Sequence, residues 1–109
     1  MSANRHNHQA PLFAALGDRT RLAMISRLSE GRALSITRLT EGSRLTRQAV
    51  TKHVRVLERA RLVRVERQGR ERLVHLRPRP LSEAREALEE ISRQWDAALS
   101  RLKAFVEQD

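Results

Sequence analysis

A mainly helical domain carrying one small β-hairpin is the fold class that this 109-residue sequence predicts. Three observations predict it. Capped segments with apolar residues three and four apart fill the chain up to about Ala60. Two β-prone runs then flank Gln68-Gly69, and from Leu81 a helical stripe resumes that neither Gly nor Pro interrupts.

Taken in order, residues 1–10 are polar and without period, so they are expected to form a disordered arm before a short helix from about Pro11 to Leu16. Pro11 suits a first helical turn. Asp18 caps a helix in which Leu22, Ile25 and Leu28 recur three apart and Ala23 and Met24 widen the buried side, until Gly31 ends it. Ser35 opens a short helix carrying Ile36 and Leu39, closed by Gly42 and Ser43. Thr46 caps a longer helix that reaches about Ala60. Three helices with a tight Gly turn between the last two make a helix-turn-helix. Leu62, Val63 and Val65, then Leu73, Val74 and Leu76, form the hairpin strands, with the turn at Gln68-Gly69 inside the connecting segment Glu66 to Arg72. Pro78 and Pro80 stop the second strand. The last stripe is Leu81, Ala84, Leu88, Ile91, Trp95, Leu99, Leu102 and Val106. Residues 81–109 as a helix span about 43 Å, longer than the unit at 11–80 needs, so part of the stripe must pack elsewhere.

Composition narrows the function. No cysteine is present, which removes disulfides, thiolate metal sites and Cys nucleophiles and predicts a reducing, cytoplasmic setting. Trp95, Phe13 and Phe105 are the only aromatics, so the core must be Leu, Val, Ile and Ala. No apolar run approaches the ~18 residues of a membrane span, and the polar start lacks the apolar stretch of a signal peptide. Nucleophile elbow, phosphate-cradling glycine loop and clustered carboxylates are all missing from the sequence, which argues against an enzyme.

With 22 Lys+Arg against 13 Asp+Glu the formal net charge is +9, which points to an anionic partner. The charge is concentrated: 12 basic and three acidic residues lie between Ser43 and Arg79, while the rest of the chain sums to zero. On the longer helix Thr46, Val50, His53, Val54 and Leu57 share one side, and Arg47, Gln48, Thr51, Lys52, Arg55 and Arg59 share the other. A solvated face mixes acids with bases, but here Glu58 is the sole acid, as suits a face that meets phosphate. Double-stranded DNA is the expected partner, since a helix fits the major groove, where Gln bonds adenine, Arg bonds guanine and a Thr methyl meets thymine. Arg47, Gln48 and Thr51 are the candidates for base edges; Lys52 and Arg55 are placed to read bases or hold phosphate. Arg64, Arg67, Arg70 and Arg72 surround the hairpin turn, and Arg67 and Arg70 are the candidates for the DNA backbone. Against this stands cross-strand pairing of those arginines with Glu66 and Glu71. A rival reading is a sequence-independent module for RNA or architectural DNA binding, although the basic segment has no aromatic side chain to stack on bases.

Two stretches carry a family resemblance. LFAALGDRTRLAMISRLSEG (12–31) has Leu16, Asp18, Thr20, Arg21 and Leu22 in place, with Arg19 where a proline is frequent, and LTRQAVTKHVRVLERARLVRVERQGRERLVHL (45–76) has Gln48, Val50, Lys52, His53, Leu57, Leu62, Val63, Gly69 and Arg70. Together they resemble the ArsR-type (SmtB/ArsR) winged helix-turn-helix regulators over about residues 12–77. The resemblance implies a homodimer that binds a two-fold symmetric operator and usually represses transcription. It further implies an interface built from the first and last helices, here Leu12, Phe13, Leu16, Leu88, Ile91, Trp95, Leu99 and Leu102. The chain departs from the metal-sensing members of that family, whose Cys-Val-Cys motif is replaced by LSITRLTEG (34–42) and whose ligands on the last helix are missing, since no His lies there. No metal and no cofactor is therefore expected. His6 and His8 are expected to be solvated arm residues, His53 a packing residue and His75 an outward strand residue. Nothing in the sequence names an effector.

Overall fold

The computed structural model describes residues 2–108, with side chains from residue 9 onward. The elements run α1 (Ser2–Leu16), α2 (Arg19–Leu28), β1 (Leu34–Ser35), α3 (Ile36–Glu41), α4 (Arg47–Arg59), β2 (Val63–Gln68), β3 (Glu71–Leu76) and α5 (Pro78–Glu107). The fold is mostly helical, with a three-stranded antiparallel sheet in the order β1-β3-β2. The expectations for the side chains of His6 and His8 lie outside the described residues.

Local capping chemistry sets three of the helix starts. Asp18 accepts from the backbone N–H of Arg21 at 3.0 Å, Ser35 from that of Arg38 at 3.0 Å and Thr46 from that of Ala49 at 3.2 Å. The end of α4 closes in a Schellman arrangement: Leu62 N–H reaches the Leu57 carbonyl and Arg61 N–H that of Glu58. Arg61 occupies the left-handed position at φ 63, where glycine is the ordinary occupant.

Leu28, Leu39, Val50, Leu57, Leu62, Val63 and Val74 are fully buried, so the core lies between α2, α3, α4 and the inner face of the hairpin. Arg27 braces the turn after α3 by donating to the carbonyls of Leu39 and Arg38, each at 3.2 Å. Gly42 sits under that guanidinium, with no room for a Cβ, although its φ of −84 is open to any residue.

Several boundaries and facings differ from the sequence expectation. The expected arm is helical from Ser2 and α1 continues through Pro11, whose missing N–H costs one helical bond, with Gln9 and Leu12 buried one turn apart on either side of it. Leu12 is therefore part of the chain's own core at 5% exposure, and not free for an interface. Leu22 points outward at 54% exposure, leaving Met24, Ile25 and Leu28 as the buried side of α2. Pro78 and Pro80 belong to the first turn of α5, where a proline gives up no helical bond. His75 is half-buried, with Nε2 3.1 Å from Glu66 Oε2 but out of line for a hydrogen bond.

At about 1.5 Å per residue, the 30-residue α5 reaches about 45 Å. Only its start is packed, with Ala84 and Ala87 buried. Beyond Ala87 the stripe of Leu88, Ile91, Trp95, Leu99 and Leu102 is exposed, Trp95 at 62%. The radius of gyration of 18.6 Å exceeds the roughly 13 Å of a compact chain this long, because that helix projects. No helix among the described residues is long and apolar enough to cross a membrane.

Candidate nucleic-acid interface

Helix α4 divides as the sequence pattern requires. Val50, Val54 and Leu57 are buried, while Arg47, Gln48, Lys52, Arg55 and Arg59 are exposed. Thr51 is half-buried and its hydroxyl donates to the Arg47 carbonyl at 2.8 Å, so the methyl is the group it can offer outward. The Arg47 guanidinium donates to Thr37 Oγ1 at 2.8 Å, which ties the first turn of α4 to α3. Thr37 escaped sequence reasoning because only the angle between the two helices brings it beside Arg47.

His53 faces the other way. Its Nδ1 lies 3.3 Å from Arg21, whose Nε donates to the Ala15 carbonyl at 2.6 Å, and 4.0 Å from Asp18. The Arg21 N–H holds the Asp18 carboxyl below its ordinary pKa of 3.8, helped by the charges of Arg21 and His53 and opposed by partial desolvation. This cluster joins the end of α1, the cap of α2 and the middle of α4, so the packing role expected of His53 includes orienting α4.

The hairpin turn is tighter than the sequence predicted: Gln68 pairs with Glu71, so Gly69 and Arg70 are the whole loop, with Gly69 at φ 62. A two-residue loop with a left-handed first position is what glycine supplies at no steric cost. Register then decides what the arginines meet. Arg67 stands directly opposite Arg72, whereas Glu66 faces Leu73 and is taken up by Arg64 at 3.2 Å, with His75 beside it. No ion pair among the described residues involves Arg47, Arg67, Arg70 or Arg72. The cross-strand neutralisation that Glu66 and Glu71 offered on paper does not form for them.

These residues converge. A cavity of about 370 Å³ lies between hairpin and helix, lined by Ile36, Arg47, Thr51, Arg67, Arg70 and Arg72. Like charges directly opposite each other across a ladder repel, so Arg67 and Arg72 would be relieved by an anion placed between α4 and the hairpin. Gln48, Lys52 and Arg55 lie on the open face of α4, outside this cavity. Arg72, grouped from sequence with the other arginines around the hairpin turn, joins the site through its register with Arg67.

Comparison with known proteins agrees with this geometry. A helix-turn-helix domain family matches residues 16–66. An ArsR-like transcriptional regulator from Rhodococcus sp. RHA1 is 30% identical with a TM-score of 0.81, over 95% of this chain and 97% of its own. An ArsR family transcriptional regulator is 28% identical with a TM-score of 0.75, over 83% of this chain and 92% of its own. A transcriptional regulator homologue from Pyrococcus horikoshii OT3 is 26% identical with a TM-score of 0.59, over 78% of this chain and 88% of its own. Among curated proteins none matches the chain.

Proposed function

From a chain that belongs to the ArsR-like family of helix-turn-helix transcriptional regulators, we propose a cytoplasmic, homodimeric repressor that binds an inverted-repeat operator with one α4 in each major groove. The observation that carries this reading is the opposed pair Arg67 and Arg72, unneutralised and facing Arg47 across one cavity. That arrangement suits duplex DNA between recognition helix and wing, with base edges toward Arg47 and phosphates toward the wing arginines. Arg47, Gln48 and Thr51 read base edges, Lys52 and Arg55 support them, and Arg67 and Arg70 hold the backbone.

Dimerisation is supported by the apolar stripe. Phe13, Leu88, Ile91, Trp95, Leu99 and Leu102 are all exposed, Leu16 is half-buried beside them, and so continuous an apolar surface is uncommon on a monomer. Residues 81–109 hold four basic and seven acidic side chains, which keeps this end away from DNA.

Selection of bound duplexes from a random pool tests the proposal. An enriched inverted repeat, preferred over a scrambled control by at least about 10³, is the expected result. Tight, salt-sensitive binding that ignores sequence would overturn it in favour of an architectural or RNA-binding module.

A further inference from the structure

A second concavity lies at the opposite end of the hairpin. It measures about 1030 Å³, the size of a small-molecule site, and is walled by Arg59, Arg61, Arg77 and Arg79. Val63 pairs with Leu76 at the hairpin base, so the cleft sits about 20 Å from the Gly69 tip at about 3.3 Å per strand residue. It is thus separate from the DNA-facing cavity.

We propose that this cleft binds a small organic acid that also carries a hydrogen-bond donor. Leu12, Ala60, Pro80 and Ala87 supply the apolar part of its lining, which takes a carbon skeleton. Two acids also line it. Glu83 takes up Arg79 at 3.6 Å, while Glu86, Arg59, Arg61 and Arg77 enter no ion pair among the described residues. Guanidinium forks bind carboxylate in two-point fashion, so the three remaining arginines select an anion. Gln9 supplies the second requirement. Its side chain lines the cleft at 9% exposure, and its buried Oε1 finds no hydrogen-bond partner among the described residues. A buried carbonyl oxygen without a donor is costly, so Gln9 gains by turning its amide toward a ligand hydroxyl or amine in the cleft it lines. Arg61 adds to this, since it keeps a cation at the rim from a backbone position that glycine would occupy without strain. The ligand bridges α1, the end of α4 and the start of α5. Any effect on operator binding rests on the DNA-binding reading; occupancy of the cleft does not.

The test titrates 4-hydroxybenzoate, benzoate and 4-hydroxybenzyl alcohol onto the isotope-labelled full chain, followed by NMR. Expected are saturable shifts centred on Gln9, Leu12, Ala60 and Ala87 for 4-hydroxybenzoate, with benzoate and the alcohol each weaker by about tenfold. Gln9→Leu should make the two acids equal, and Arg77→Gln should weaken both while sparing the alcohol. Arg77 is exposed, so that variant keeps the test standing should Gln9→Leu disturb packing. Absence of saturable shifts, shifts centred on Arg47 and Arg67, or two acids still discriminated by Gln9→Leu would overturn the proposal. Duplex affinity of the ligand-free wild-type chain is measured alongside: absence of binding would refute the DNA-binding reading and leave the cleft untouched.

Discussion

Replacing Arg67 and Arg70 together with alanine isolates the wing's share of binding. Both are exposed and line the cavity beside α4, and the one hydrogen bond at stake, Arg67 Nε to the Gly69 carbonyl, is long at 3.4 Å. The fold should therefore survive. If each arginine holds one phosphate, a dimer loses about four contacts, and the slope of log affinity against log salt falls by about 3.6. From about 50 to 200 mM salt the wild-type chain should then lose about 150-fold more affinity than the variant. Fluorescence anisotropy with the selected operator and a scrambled duplex, across a salt series, measures both slopes. The deficit should be shared by the two duplexes, because phosphates carry no sequence. Parallel slopes would show that these arginines face water, and a deficit confined to the operator would show that the wing reads bases.

Arg47→Ala or Gln48→Ala should weaken the operator by about 1 to 3 kcal/mol while leaving the scrambled duplex nearly unchanged, read in the same anisotropy assay. Leu99→Glu combined with Trp95→Glu, at 53% and 62% exposure in the single chain, should sediment as a monomer; a persisting dimer would move the interface off α5. Arg61→Gly should raise stability by about 1 kcal/mol in urea, by relieving the left-handed backbone. The lowered pKa of Asp18 means that its carboxylate contributes stability above its unfolded pKa of 3.8, which is lost as pH falls through the lower folded value. Asp18→Asn lacks that contribution, so the gap between the two urea midpoints should narrow as pH drops below 3.8.

What the sequence disclosed follows from the range of each interaction. Asp18, Ser35 and Thr46 were readable as caps because a cap is satisfied within three residues. The two faces of α4 were readable because 3.6-residue periodicity needs no knowledge of neighbours. The two-residue strand Leu34–Ser35 was not, since it exists only by pairing with Val74 and Leu73. The strands' outer halves escaped too: Glu66 to Gln68 and Glu71 to Arg72 are polar on both faces, and only the register makes them a ladder. That register also decided the site, putting Arg67 against Arg72 and leaving Glu66 to Arg64. Leu12 and Leu22 exchanged their expected facings because helix rotation is set by what packs against the helix. The cleft at the hairpin base gathers Gln9, Arg61 and Arg77 from positions tens of residues apart, a grouping no linear spacing announces.

Gly42 and Arg27 show a different kind of dependence. The turn inside the helix-turn-helix uses its glycine for space, because the fork of Arg27 occupies the volume a methyl group would take. A lesion at position 42 should accordingly be repairable from position 27. Gly42→Ala alone evicts the guanidinium from two carbonyls, whereas the same change beside a short residue at 27 meets open volume. Because the atoms in the way are the far end of a flexible side chain, Gly42→Ala should cost little beyond the two Arg27 hydrogen bonds, and should cost less still once residue 27 is already short.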